Sequence, residues 1–129
     1  MEPLILDASV LIGLLDTKDS HHNGAVDEVD LADRADRPLL TPASAYSEAL
    51  VAFARTGRLR DARDAISGMG ITVASLTAPI AERAAELRAR HDSLRLPDAL
   101  VLATAHEHQG EVLTYDRRLA RTARQRRKR

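Results

Sequence analysis

The stretch LRLPDALVLATAHEHQGEVLTYD, Leu94–Asp116, decides the fold. Pro97 and Asp98 open a run of apolar and small residues from Ala99 to Ala105, broken only by Thr104, which reads as a helix buried on most sides. Gly110 closes it, and Val112-Leu113-Thr114 then reads as a strand. A buried helix feeding a buried strand is half of a parallel α/β repeat, in which the helix runs back against the strand direction. The start of the helix and the end of the strand therefore meet at one edge of the sheet. That edge would hold two carboxylates, Asp98 and Asp116.

Working outward, three more short apolar runs read as strands buried on both faces: Leu4-Ile5-Leu6, Leu39-Leu40 and Ile71-Thr72-Val73. Helical patterns separate them. One lies near Val10–Leu15, and another carries Ala25, Val26, Val29, Ala32 and Ala35 on one face. A third runs from Pro42 to Arg55, with Thr41 as N-cap and Gly57 just past its end; others span Leu59–Ser67, Pro79–Arg90 and Pro97–Gln109. Strands separated by helices cannot pair as hairpins. The expectation is a three-layer α/β domain with a central parallel sheet of four, possibly five, strands flanked by helices.

The chain has 129 residues, 44% of them hydrophobic, enough for one core. It has no cysteine, which excludes disulfides and thiolate zinc sites and suits a reducing cytoplasm. Val10–Leu15 is far shorter than the ~20 residues that cross a bilayer, so no membrane association is expected. The formal net charge of zero hides an asymmetry. Residues 117–129 hold eight of the 19 Lys and Arg and no Asp or Glu, leaving 11 basic against 19 acidic side chains in the rest. We divide the chain into a domain over 1–119 and a basic C-terminal tail over 120–129. Such a tail reads either as a solvated, fraying end or as an electrostatic arm for a phosphate backbone.

In an open parallel sheet, ligands bind beyond the carboxyl ends of the strands, where strand order reverses. Asp7 directly follows the first strand, Asp116 follows the last, and Asp98 lies in the first turn of its helix. Glu48 sits inside its own helix among small neighbours, Ser44, Ala45, Ala49 and Ala52. Each acid has an ordinary explanation: Asp7 or Ser9 could cap the helix near Val10, Asp116 the final helix, Asp98 could favour a helix N-terminus that keeps it charged, and Glu48 could face water. Together they would repel by ~4 kcal/mol per pair at 4 Å and an effective dielectric near 20. Protons or cations must offset that, and oxygen-only ligands favour Mg²⁺ or Mn²⁺ over zinc. His106 and His108, two apart on a helix, point away from each other and make a poor ligand pair.

The motifs LILDASVLIGLLD, TPASAYSEALVAFARTG and LRLPDALVLATAHEHQGEVLTYDRRLA, in that order, resemble the PIN-domain ribonucleases, most closely the VapC-type toxins of prokaryotic toxin–antitoxin pairs. The resemblance spans residues 4–119. It implies that Asp7, Glu48, Asp98 and Asp116 are the four acids of the site, with Asp7 and Asp98 the direct metal ligands and Ser9 and Thr114 the supporting hydroxyls. It further implies a Mg²⁺- or Mn²⁺-dependent endoribonuclease cutting tRNA, rRNA or mRNA. A homodimer inhibited by a VapB-type antitoxin would follow. The family often adds an edge strand after the fourth acid, where this chain continues into RQRRKR instead.

Other readings remain. The fold could serve structured DNA or RNA processing, or have become a binding partner without activity. A receiver-type phosphoacceptor switch needs an Asp at the third strand exit and a later Lys. Here the third strand continues as Thr72-Val73-Ala74-Ser75, and the lysines are Lys18 and Lys128.

Overall fold

The computed structural model describes residues 1–127. In chain order the elements are β1 (Leu4–Leu6), α1 (Ala8–Leu15), α2 (His22–Arg34), β2 (Leu39–Pro42), α3 (Ala43–Arg55), α4 (Leu59–Gly68), β3 (Ile71–Ala74), α5 (Ala78–Arg90), α6 (Leu96–Glu107), β4 (Glu111–Leu113) and α7 (Arg117–Arg127). The strands form one parallel sheet in the order β3-β2-β1-β4. The chain builds outward from β1 through β2 to β3, then returns to lay β4 on the other side of β1. Strand order therefore reverses between β1 and β4, where a crevice opens at their carboxyl ends. Among the described residues no fifth strand follows, and no helix is long and apolar enough to cross a membrane.

Alternation along β1 divides the core. Leu4 and Leu6 face a cluster with Val10, Leu14, Val29 and Ile66 from α1, α2 and α4. Ile5 faces the opposite cluster, with Ile80, Ala84 and Leu87 of α5, Ala99 and Leu102 of α6, and Leu119 and Ala123 of α7. These clusters are the two helical layers of the three-layer domain. Helix α6 is apolar nearly all round because it is wedged between the sheet and α5, which fixes the position of the residues at its start. At its end the chain passes close to β1: a Cβ on Gly110 would lie 2.8 Å from Ile5 Cγ1 and from the Pro3 carbonyl oxygen.

Several local expectations need correction. Thr41 does not cap α3; it is the third residue of β2, and its hydroxyl donates to the Leu6 carbonyl at 2.7 Å, tying β2 to the exit of β1. Pro42 takes the N-cap position, with an extended backbone. Past the helix, Gly57 adopts φ 72° and the Arg58 amide returns to the Phe53 carbonyl at 2.7 Å, an ending that a left-handed glycine permits. Full two-sided burial holds for β1 only. Thr72 and Val73 of β3 are exposed and β4 is half-buried throughout, because both strands are sheet edges. The basic segment is not a fraying end as far as Arg127: it forms α7, anchored by buried Leu119 and Ala123 four residues apart. Lys128 and Arg129 lie outside the described residues.

Candidate functional site

Asp7 stands at the strand-order reversal with only 6% of its surface exposed. Its position is over-determined. As N-cap of α1 it accepts the Val10 amide on Oδ1 at 3.2 Å, and the Ser9 hydroxyl donates to the same oxygen at 2.6 Å. Its Oδ2 accepts the hydroxyl of Thr114, from the end of β4. Each hydroxyl in turn accepts a backbone amide: Tyr115 N donates to Ser9 Oγ and Asp116 N to Thr114 Oγ1, both at 3.0 Å. Two relays thus fasten the chain leaving β4 to the carboxylate leaving β1.

Asp116 follows directly and caps α7, its Oδ1 accepting the amides of Arg118 at 2.9 Å and Leu119 at 3.1 Å. Its other oxygen has no hydrogen bond among the described residues. Asp98 projects from the first turn of α6, half-buried, with Arg95 Nε 3.5 Å from its Oδ2. Glu48 lies exposed in the middle of α3.

Electrostatics links all four acids. The Asp98 carboxyl is raised above its ordinary value, chiefly by burial; the Arg95 guanidinium opposes this, and the charges of Asp116 and Asp7 reinforce it. Burial and the neighbouring acids thus oppose the stabilisation that the helix N-terminus is expected to give the Asp98 anion. The Glu48 carboxyl, although the residue is exposed, is likewise raised, first by partial desolvation, then by Asp98 and Asp7, with Arg95 again opposing. Arg95 is the one basic side chain acting on both shifted acids.

Excess negative charge on oxygen donors suits a hard divalent cation. Among the described residues no three acidic or histidine side chains are gathered into a ready cage. Mg²⁺ keeps several of its waters and needs only one or two carboxylates besides substrate phosphate. The residues present therefore fit such an ion, with Asp7 and Asp98 the holders expected from the sequence.

The acids straddle two depressions. Glu48 borders one between α1 and α3, lined by Ile12, Leu15 and Phe53, of about 570 Å³. Asp98 and Asp116 border a second, of about 820 Å³, whose lining includes Arg95 and, from α7, Arg117, Arg118, Arg121 and Arg126. The basic segment was expected as a possible electrostatic arm, but its arrangement as a helix face beside the acids was not, because the segment's buried stripe consists of just two apolar residues, Leu119 and Ala123. Also unforeseen is Tyr115, whose ring stacks on His21 with centroids 4.2 Å apart and whose buried hydroxyl has no hydrogen-bond partner. Burial, then the charges of Glu28, Asp19, Asp27 and Asp7, raise its pKa. His22 Nδ1 lies 2.8 Å from the Gly13 carbonyl, while His106 and His108 are exposed at the end of α6, remote in role from the acids.

Comparison with known proteins supports the fold. The PIN domain pattern matches residues 4–125. Mycobacterium tuberculosis VapC20, a toxin that cleaves the sarcin–ricin loop, is similar in fold with a TM-score of 0.72 at 20% identity, over 92% of this chain and 94% of that one. A chain of a toxin–antitoxin complex from Klebsiella pneumoniae is similar with a TM-score of 0.69 at 26% identity, over 88% and 86%. No curated protein matches by sequence.

Proposed function

This chain belongs to the PIN domain family, and from that premise we propose that it is a Mg²⁺- or Mn²⁺-dependent endoribonuclease, the toxin of a VapBC-type pair. The observation that carries the reading is the placement of Asp7: a buried carboxylate pinned by two hydroxyls at the sheet's switch point, tied through Thr114 to Asp116 and within electrostatic reach of Asp98. A structural capping acid needs no such neighbours.

Hydrolysis adds a water oxygen to phosphorus and breaks one ester P–O bond, the departing oxygen taking a proton. A divalent cation, when bound, supplies positive charge at the attacked phosphate and acidifies a water. Asp7 and Asp98 would hold the ion. The relays through Ser9 and Thr114 keep Asp7 from turning away and fix Asp116 at a set distance from it, so the site spends little ordering entropy when substrate arrives. Asp116 and Glu48 orient the attacking water, and the Glu48 carboxyl, raised by desolvation and by Asp98 and Asp7, is a more basic carboxylate than a free one.

The partners that go with this reading are an RNA substrate, a cognate VapB-type antitoxin and a second copy of the chain in a homodimer, all in the cytoplasm. The similarity to a chain from a toxin–antitoxin complex supports the antitoxin. The test is incubation of the purified protein with RNA and, in parallel, DNA, with Mg²⁺ or with chelator. Cation-dependent cleavage of RNA is expected. Absence of cleavage in every cation tested, or cleavage of DNA alone, contradicts the reading.

A further inference from the structure

Resting on the nuclease reading, we propose that the outer face of α7 is the track along which the RNA backbone reaches the carboxylates, with Arg95 closing its other side. The cleft of about 820 Å³ brings Arg95, Arg117, Arg118 and Arg121 into one depression with Asp98 and Asp116. Helical periodicity explains the pattern. Leu119 and Ala123 turn inward to the core, so Arg117, Arg118 and Arg121 must line the outer cleft wall together with Thr122 and Gln125.

Charge identifies the occupant. Outside residues 117–129 the chain is strongly acidic and would repel a polyanion, so attraction must come from here. Among the described residues, Arg117, Arg118 and Arg121 form no ion pair, although two carboxylates border the same cleft. Arginines left unneutralised beside acids match an RNA strand whose phosphates lie on the basic wall while one of them enters the acidic end. An acidic protein segment would be attracted to the wall but repelled by Asp98 and Asp116, with no cation of its own to bridge it. Guanidinium groups are also suited to paired contact with phosphate oxygens. Aromatic stacking contributes little, since the chain has only three Tyr and Phe residues.

The experiment measures binding of a labelled single-stranded RNA by fluorescence anisotropy across a salt series, in an Asp98→Asn background that should not cleave it. The Arg117→Gln/Arg121→Gln pair is compared with Arg60→Gln/Arg63→Gln, which removes equal charge from exposed positions on α4 in the opposite helical layer. Each lost phosphate contact should lower the slope of log affinity against log salt by about 0.7, so the cleft pair should lower it by about 1.4. The α4 pair should leave it unchanged. In the otherwise wild-type chain the cleft pair should raise KM and largely spare kcat.

Equal slopes for the two pairs would overturn the proposal. So would unchanged RNA binding by the cleft pair combined with weakened binding of an acidic peptide, which would assign the wall to a protein partner. Cleavage that depends on Asp98 but is indifferent to the arginines would refute the track and leave the nuclease standing. A chain that binds RNA through the arginines but never cleaves it would refute the nuclease instead.

Discussion

Thr114 donates its hydroxyl proton to Asp7 Oδ2 while accepting the Asp116 amide, so one side chain couples the acids at the exits of β4 and β1. Replacing it by Val keeps the shape but removes both bonds. Thr114→Val should cost about 1–3 kcal/mol, measured by denaturant unfolding, since a charged acceptor and a backbone donor lose their partner. Cleavage should fall mainly in kcat, because the carboxylates lose their mutual placement, and Thr114→Ser should restore most of both.

Asp98 gives a pH prediction of definite sign. Its carboxyl is raised in the folded chain, mainly by burial, so the folded state keeps the proton to higher pH than the unfolded state. Its contribution to stability is then fully present below the unfolded value and is lost as pH rises through the folded one. Asp98→Asn abolishes that loss. By thermal unfolding without added metal, the variant should melt above wild type at neutral pH, with the gap closing as the solution is acidified. A wild type that melts higher at neutral pH would contradict the electrostatic picture.

The anchor of α7 is Leu119, 2% exposed in the layer built from α5 and α6. Truncation to Ala should cost about 2–4 kcal/mol as a cavity opens. Because α7 is held to the core through just two buried residues, Leu119 and Ala123, part of that loss should appear as local opening, with faster hydrogen exchange in α7 than in α6. Weaker RNA binding should accompany it.

Tyr115 offers a contrast. Its hydroxyl is buried without a partner, so Tyr115→Phe removes a desolvated group and should leave stability unchanged or slightly raised on denaturant titration. Cleavage should persist, since it is the Tyr115 amide, rather than its hydroxyl, that belongs to the Asp7 relay.

Much of this arrangement was legible in the chain itself. The apolar runs and their helical separators give β1 to β4 and the parallel sheet, and Asp7, Asp98 and Asp116 fall at the edge that such topology dictates. What sequence cannot carry is competition between groups. Thr41 looked like a helix cap because Pro follows it, yet pairing with β1 claimed its hydroxyl for Leu6. At Asp98 the helix N-terminus that favours its charge was legible, whereas the burial and the Asp116 charge that oppose it were not. The arginines beyond Asp116 looked like a tail because two apolar residues make a faint period, and only the packing of Leu119 and Ala123 turns the rest toward the acids.

The most direct measurement compares Mg²⁺-dependent RNA cleavage by the wild type and by Asp98→Asn, each purified free of host nucleases and verified as folded by circular dichroism. The nuclease account predicts cleavage by the wild type and a loss of at least about 100-fold in kcat for the variant, as expected for removal of a charge acting at the transition state. A folded Asp98→Asn chain that cleaves RNA as fast as the wild type would contradict it.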